Sequence, residues 1–511
     1  MRIWPLLFAL LLGCSTFEPG APSYALADDE GPLGALVSQL SEHAPTAQSG
    51  FYLLDDGTQA FVARAELARG ATKSLDVQYY IMSDGLSTAL LLKELLSAAD
   101  RGVRVRLLLD DTAIGGKDDR MAKLAAHPNI SVRSFNPIKQ GRGLALTRNL
   151  ARLFNLSRQH RRMHNKLWLA DGQVGIVGGR NLGDEYFDAQ EGMNFNDIDV
   201  MSIGAVNLEL AQSFDQYWNH ALAQPIENLA KHDPKRVELN AWRALLEQKI
   251  QQKRQELPEI YERLTQYKDE PQLPSWLTRL YWAHAKAMWD DPDKLLADGK
   301  PNPKHLLTTQ LNPELEAVHK ELLLVSAYFV PGENGTAYLT TKAREGTAVH
   351  ILTNALEATD VPAVHGGYSP YRKDLLASGV NLYELRREPG ERPRYSFTGG
   401  SESSLHSKTI SFDRKKTFIG SFNFDPRSVL WNTEIGILID SEFLTEKVRS
   451  LTQQGVTPSL VYRVRLDQRQ QQLFWETDNN GVPVRFDKEP GTFMQHLNAW
   501  LARFLGLERM L

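Results

Sequence analysis

Two histidine–lysine pairs recur in the chain with the same spacing and the same companion residues. The first copy runs His164-Asn165-Lys166, then Asp171, then Gly178-Gly179-Arg180-Asn181. The second copy runs His406-Ser407-Lys408, then Asp413, then Gly420-Ser421-Phe422-Asn423. In both, the lysine is followed by four residues and an aspartate, then by six residues and a Gly-Gly or Gly-Ser pair. A template this long, matched twice, is not a chance event.

The spacing of each motif suits chemistry at a phosphodiester. Residues two apart on a strand point to the same face, so each motif presents an imidazole beside an ammonium group. Lys166 and Lys408 can neutralise the non-bridging oxygens, helped by the amides of Asn181 and Asn423. One neutral histidine can attack phosphorus, while the other, protonated, gives its proton to the leaving alcohol. We therefore predict one catalytic site made from both motifs, with no cofactor and no metal.

The remaining motif residues have simpler expected roles. Asp171 and Asp413 fall at turns, where an aspartate most often serves the backbone. Gly179 and Ser421 follow a buried strand, and a small side chain there would let a substrate approach the backbone. We predict that these two positions bind substrate.

The elements that position the motifs also occur twice. A strand at Ser74–Ile81, a helix at Leu86–Asp100 and a strand at Val103–Asp110 are matched in the second half by strands at 322–330 and 348–353. Strand–helix–strand order with short connections indicates a parallel α/β sheet. We predict a first domain over 46–228, a helical inter-domain segment over 229–300, a second domain over 301–465, and a C-terminal extension with an amphipathic helix over 466–511.

The amino terminus resembles a bacterial lipoprotein leader. Arg2 precedes an apolar run from Ile3 to Leu12, and the sole cysteine, Cys14, stands at the cleavage position. We predict a signal peptide over 1–14, a lipid anchor on Cys14 and a tether over 15–45. This places the protein in the bacterial cell envelope, on the periplasmic side, with inner and outer membrane both open.

The paired His-Lys-Asp motifs resemble the phospholipase D superfamily. The resemblance implies an α/β fold of two similar phospholipase D-like sandwich domains, packed as a pseudo-dimer with one shared active site. It also implies that His164 is the nucleophile and His406 the acid and base. By the same resemblance, Glu434 orients His164, and Asp197 orients His406, with the neighbouring Asp199 as the alternative.

A longer resemblance, to bacterial cardiolipin synthases of the C type, covers most of the chain from about residue 51. It is carried by segments that include Val77-Gln78-Tyr79-Tyr80, Arg161-Arg162-Met163-His164, Val364-His365-Gly366-Gly367-Tyr368 and Gly420-Ser421-Phe422-Asn423. It implies transfer of a phosphatidyl group through phosphohistidine, with phosphatidylethanolamine or phosphatidylglycerol as donor and phosphatidylglycerol as acceptor. We expect Tyr79 to contact the substrate.

Three other functions remain open from the sequence: a hydrolytic phospholipase D that releases phosphatidic acid, a nuclease of the same superfamily, and a lipid-binding protein with an inactive site. The net charge of −4 argues against a nucleic-acid partner. A phospholipid membrane is the expected partner, and two segments could contact it. One is the basic stretch with Lys139, Arg142, Arg148, Arg152, Arg158, Arg161 and Arg162, and the other is the C-terminal helix after Thr492.

Overall fold

The computed structural model describes residues 20–42, 44–138, 141–142, 156–230, 236–387, 402–479 and 481–505. The predicted leader and Cys14 lie outside these ranges. Within the predicted tether, however, residues 20–42 pack against the first domain, and α1 (Pro32–Ser41) is a regular helix. Ala25 N donates to Asp215 Oδ2 at 2.8 Å, and Arg106 donates to the Ser23 carbonyl at 2.8 Å. The described part of the predicted tether thus lies on the first domain, because its backbone groups find partners there.

The first half of the chain forms a mixed sheet in which the central strands are parallel. The strand order is β1-β8-β6-β5-β2-β3-β4-β9, with β2, β3 and β4 parallel and the other neighbours antiparallel. Its strands are β1 (Ser49–Leu54), β2 (Ser74–Tyr79), β3 (Arg104–Asp110), β4 (Ile130–Phe135), β5 (Leu167–Ala170), β6 (Val174–Gly178), β7 (Met193–Asn196, outside this sheet), β8 (Asp199–Gly204) and β9 (Ala223–Pro225). Its helices are α2 (Gly57–Gly70), α3 (Leu86–Asp100), α4 (Asp111–Ile114), α5 (Asp118–Ala125), α6 (Leu156–Gln159) and α7 (Val206–Trp218).

The second half repeats this order. Its sheet runs β17-β16-β15-β11-β12-β13-β18-β19-β20, with β11, β12 and β13 parallel. The strands are β10 (Tyr281–Trp289), β11 (Glu321–Ser326), β12 (Ala348–Asn354), β13 (Asn381–Leu385), β14 (Glu402–Leu405, paired with β7), β15 (Lys408–Phe412), β16 (Lys416–Gly420), β17 (Ile435–Asp440), β18 (Val461–Asp467), β19 (Gln472–Asn479) and β20 (Val482–Phe486). The predicted duplication is confirmed, and the second sheet is extended by β19 and β20, which have no counterpart in the first half.

The segment between the halves is helical only at first. It forms α8 (Arg236–Glu256), α9 (Pro258–Thr265) and α10 (Leu273–Leu277), and then the strand β10. The start of β10 pairs with β1 of the first half, and the rest pairs with β17 of the second half. The prediction of a helical segment over 229–300 is thus wrong at its end, where one strand joins the two sheets.

The two sheets share a buried apolar core. Residues of the first half such as Leu167 and Val177 belong to the same cluster as Ile419 and Ile437 of the second half. The further helices α11 (Leu307–Ala317), α12 (Gly332–Arg344), α13 (Pro362–Tyr368), α14 (Arg372–Ala377), α15 (Pro426–Leu430), α16 (Glu442–Gly455) and α17 (Phe493–Phe504) complete the second half. Among the described residues, no helix has the length and apolarity needed to span a bilayer.

Candidate active site

Each motif is held in place by the aspartate that follows it. Asp171 ends the β5 strand in a left-handed conformation (φ 51°), and its carboxylate accepts hydrogen bonds from the backbone of residues 72–74 at 2.8–2.9 Å. Asp413 does the same after β15 (φ 53°), accepting from the backbone of residues 319–321 at 2.6–3.1 Å. These contacts fix the hairpin turn to the neighbouring strand, which is a structural role.

Each motif histidine is anchored on the opposite half of the molecule. His164 N donates to the Thr433 carbonyl at 2.9 Å, and His406 N donates to the Asn196 carbonyl at 2.8 Å. The two motifs therefore meet where the two domains pack, and each half supplies backbone to the histidine of the other.

A carboxylate side chain from each half likewise contacts the histidine of the other half. Glu434 Oε2 lies 2.8 Å from His164 Nδ1, and Asp197 Oδ2 lies 2.7 Å from His406 Nδ1. Both carboxylates are fully buried. Asp199 instead pairs with Arg64 at 2.7 Å, so of the two neighbouring aspartates only Asp197 contacts His406. A carboxylate at Nδ1 fixes the tautomer and leaves Nε2 as the reacting nitrogen.

The two lysines lie beside their histidines. Lys166 Nζ donates to the His164 carbonyl at 2.5 Å, and Lys408 Nζ donates to the His406 carbonyl and lies 3.1 Å from His406 Nδ1. Burial lowers the pKa of Lys166 to about 7 and also lowers the pKa of Lys408. Buried ammonium groups are costly without a counter-ion, and a phosphodiester anion would offset that cost.

Burial disfavours the protonated form of both histidines. Burial lowers the pKa of His164 well below its ordinary value of 6.5, and the charges of Lys166 and Lys408 lower it further. Burial also lowers the pKa of His406 to about 4, assisted by the charge of Lys408. That the lysine of each half acts on the histidine of the other shows that the two pairs share one electrostatic environment.

The pKa values of the two orienting carboxylates are shifted in opposite directions. Burial raises the pKa of Glu434 to about 7, despite the opposing charge of Lys166. Burial opposes ionisation of Asp197 too, but the hydrogen bond from His406 and the charge of Lys408 outweigh it, and the pKa of Asp197 is lowered. An ionised Asp197 stabilises a protonated His406, whereas Glu434 offers less negative charge to His164.

Gly179 and Ser421 contact the two orienting carboxylates. A Cβ added at Gly179 would stand 2.5 Å from both carboxylate oxygens of Asp197. Ser421 Oγ donates to Glu434 Oε2 at 2.5 Å. The missing or short side chain makes room for the group that orients a histidine, and the binding of substrate at these two positions stays a prediction.

The two motif asparagines tie the site to the central strands. Asn181 Oδ1 accepts from Ile81 N at 3.2 Å, and Asn423 Oδ1 accepts from Tyr328 N at 3.4 Å. Asn181 also donates to the Tyr186 hydroxyl at 2.9 Å. These bonds hold the loops after β2 and β11 near the histidines, and a role in binding phosphate oxygens stays a prediction.

Tyrosine rings frame the site, but Tyr79 is not among them. Tyr79 is fully buried, and its hydroxyl accepts from Arg64 Nε at 2.8 Å, so the prediction that it contacts substrate is wrong. Its neighbour Tyr80 packs edge-on against His164 at 4.9 Å between ring centroids. Successive strand residues face opposite sides of a sheet, so Tyr79 points into the core while Tyr80 points towards His164.

Two further aromatic residues that sequence reasoning missed lie on the other histidine. Tyr186 contacts the His406 ring edge-on at 5.1 Å, and Phe195 lies 5.0 Å from it. Both lie between the first motif and Asp197 in sequence, and no spacing rule singles them out. They shield one side of the His406 ring from water.

The basic stretch before His164 is largely committed to contacts within the protein. Arg142 binds Asp111 and Asp118, at 2.6 and 2.5 Å. Arg158 donates to the Asn136 side chain, Arg161 to the Leu295 carbonyl and Arg162 to Asp110. Lys139, Arg148 and Arg152 lie outside the described residues. The described arginines thus do not form a free basic face for a membrane, because carboxylate and amide groups of the first half and a carbonyl of the inter-domain segment bind them.

Two repeated α/β domains that exchange histidine-orienting carboxylates across their interface define a phospholipase D superfamily site. The family described as "Cardiolipin synthase, PLD-like domain" matches residues 65–218 and 311–454. The chain therefore belongs to the cardiolipin synthase-like phosphatidyltransferases of this superfamily.

Individual relatives agree with this placement. The chain is 39% identical to cardiolipin synthase C of Escherichia coli over 94% of its own length and 99% of the relative. It is 25% identical to cardiolipin synthase A of Pseudomonas syringae over 81% of its length and 70% of the relative. The crystal structure of a phosphatidylserine synthase from Haemophilus influenzae has the same fold, with a TM-score of 0.57 at 13% identity, covering 93% of this chain and 100% of that one.

Proposed function

We propose that the protein synthesises cardiolipin by transferring a phosphatidyl group through a phosphohistidine. The donor is phosphatidylethanolamine or phosphatidylglycerol, and the acceptor is phosphatidylglycerol. The observation that carries the proposal is the pair of buried carboxylates exchanged between the domains, Glu434 on His164 and Asp197 on His406. The pKa of Glu434 is raised and that of Asp197 is lowered, which favours different tasks for the two histidines.

In the first step, His164 Nε2 attacks phosphorus and the bond to the head-group oxygen breaks. His406, protonated and stabilised by ionised Asp197, gives its proton to that oxygen as it leaves. Lys166 and Lys408 stabilise the negative charge that builds up on the non-bridging oxygens. The phosphatidyl group is then held on His164 and His406 is neutral.

In the second step, neutral His406 takes the proton from the hydroxyl group of the acceptor. That oxygen attacks phosphorus, the phosphorus–nitrogen bond breaks, and His164 is restored as a neutral imidazole. If water were the acceptor, the same steps would release phosphatidic acid, so transfer and hydrolysis differ only in what enters the site.

The experiment supplies the purified full chain with labelled phosphatidylethanolamine and unlabelled phosphatidylglycerol, and separates the lipid products. Labelled cardiolipin supports the proposal, phosphatidic acid alone favours the hydrolase, and no turnover favours a lipid-binding protein. Repeating the reaction with labelled phosphatidylglycerol identifies the donor.

The phosphohistidine has its own test. His164→Ala is expected to abolish acid-labile label on the protein, because the attacking nitrogen is gone. His319→Ala is the matched control, since His319 is 73% exposed in its side chain. Label retained on His164→Ala would refute the choice of nucleophile.

We also propose that Cys14 carries the lipid anchor in the envelope, on the periplasmic side. Mass spectrometry of the amino-terminal peptide from cells is expected to show a diacylated cysteine at position 14. An unmodified peptide that begins before Cys14 would contradict this proposal.

A further inference from the structure

The C-terminal helix α17 is attached to the domain by its smallest residues. Ala499 and Ala502 are its buried positions, and they face α13. A Cβ added at Gly366 of α13 would stand 2.3 Å from the Ala499 carbonyl oxygen, so the two helix backbones are nearly in contact. This close crossing leaves no room for larger side chains on the inner face.

The opposite face of α17 is apolar and open to solvent. Phe493, Trp500 and Phe504 are 78%, 56% and 72% exposed, and Leu505 at the helix end is 63% exposed. Their spacing of seven and four residues places them on one stripe, away from the two alanines. Trp500 and Phe504 stack on each other at 5.2 Å. An aromatic stripe this exposed marks a contact surface rather than a core.

A buried ionic network fixes the segment that presents the helix. Glu489, four residues before α17, binds His365 and Arg372, each at 2.5 Å. Arg372 also binds Glu384, whose other oxygen accepts from Trp475 Nε1 at 3.0 Å. The helix therefore starts from a rigid support, and its exposed stripe is held outward by the fold.

The support of α17 is continuous with the wall of the active site. Asp360 precedes the first residue of α13 by two positions and accepts a hydrogen bond from the Tyr328 hydroxyl at 2.8 Å. Its carboxylate is close enough to act on the charge of Lys408. The exposed stripe of α17 is thus joined to the catalytic residues by one short helix.

We propose that the outer face of α17 inserts into the surface of a phospholipid bilayer and turns the active site towards it. The proposal rests on the proposed function, in which both substrates are bilayer lipids. Arg503 is exposed beside the stripe and suits anionic head groups next to inserted aromatic rings. A second copy of the chain would gain less from this pattern, because the two copies of Arg503 would approach each other across a two-fold contact.

The test places a fluorophore on a cysteine introduced at position 500, by Trp500→Cys, in the full chain. Cys14 is the only native cysteine, so Cys14→Ser ensures that only the new thiol is labelled. Leu245→Cys is the control, because Leu245 lies on α8 and is 62% exposed. Vesicles of phosphatidylethanolamine and phosphatidylglycerol, brominated in their acyl chains, report insertion by quenching.

We expect several-fold stronger quenching at position 500 than at position 245. Equal quenching would overturn the proposal, and so would self-quenching of the label at position 500 without vesicles, which would indicate a second copy instead.

A second arm measures turnover by a Trp500→Glu, Phe504→Glu double variant. Its activity should fall about tenfold on vesicles and stay unchanged on short-chain lipids dispersed as monomers, since only the vesicle reaction needs insertion. An equal loss on both substrates would indicate a structural role and contradict the proposal. If the unaltered chain turns over neither substrate, the proposed function fails, while the quenching result still decides where α17 lies.

Discussion

The proposed division of labour between the histidines predicts that Asp197→Asn and Glu434→Gln fail in different ways. Asp197 holds His406 at 2.7 Å in a fully buried position and stabilises its protonated form. A hydrogen bond to a charged group contributes about 1.5–3 kcal/mol, so the amide should slow protonation of the leaving group by roughly 10- to 150-fold. The side chains are similar in size, which leaves the packing intact.

The assay compares two phosphatidyl donors, one with ethanolamine and one with p-nitrophenol as leaving group. Nitrophenolate leaves without a proton, so Asp197→Asn should form phosphoenzyme from it at nearly the normal rate, measured by rapid quench. Glu434→Gln misorients the nucleophile and should slow both donors equally. If Asp197→Asn slows both donors alike, His406 is not the acid of the first step and the reasoning fails. Thermal unfolding of both variants checks that they are folded.

Three further predictions follow from the same geometry. Gly179→Ala should reduce kcat by about tenfold or more, because the new Cβ displaces an orienting carboxylate. Gly70→Ala is the control and should leave kcat unchanged, because its Cβ meets only ordinary contacts at 3.5 Å. Steady-state kinetics compares the two variants. In the pH profile of kcat/KM, the acid limb should lie below pH 6.5, because the pKa of His164 is lowered. Lys166→Met removes a cation that repels the protonated histidine, so it should move this limb to higher pH. A limb that does not move in the variant would count against this account. Glu489→Gln should cost about 3 kcal/mol of unfolding free energy at neutral pH. Burial opposes the ionisation of Glu489, but neighbouring cations outweigh it and lower its pKa. The ionised carboxylate therefore stabilises the fold above the unfolded pKa of 4.5, and this stabilisation is lost as the pH falls. Denaturant unfolding at several pH values should show a free energy of unfolding that depends less on pH in the variant.

Local patterns in the sequence predicted the parts of this structure that local physics determines. The repeated strands and helices, the hairpin after each histidine, and the turns at Asp171 and Asp413 all follow from short-range spacing. The pairing of Glu434 with His164 and of Asp197 with His406 came from resemblance alone, since those partners lie far apart in sequence.

The sequence-based interpretation is incomplete or wrong where contacts between residues far apart in sequence determine the role of a side chain. Nothing in the sequence distinguishes Tyr79 from Tyr80, because the parity of a strand is set by what packs on each face. Likewise, the small residue at 179 reads as an opening for a ligand until Asp197 is seen to fill it. The arginines before His164 read as a basic face because their acidic partners, such as Asp110 and Asp111, belong to other elements.

Because each half supplies the carboxylate that contacts the histidine of the other half, the two histidines can have different surroundings. In an assembly of two identical chains, both histidines would meet the same acid, and either could become the phosphorylated one. With both copies covalently joined, each can drift separately: one acid, Asp197, now sits against a glycine, while the other, Glu434, accepts from a serine hydroxyl. A single chain that holds both copies can therefore give its two histidines different surroundings, which two identical chains related by exact symmetry cannot do.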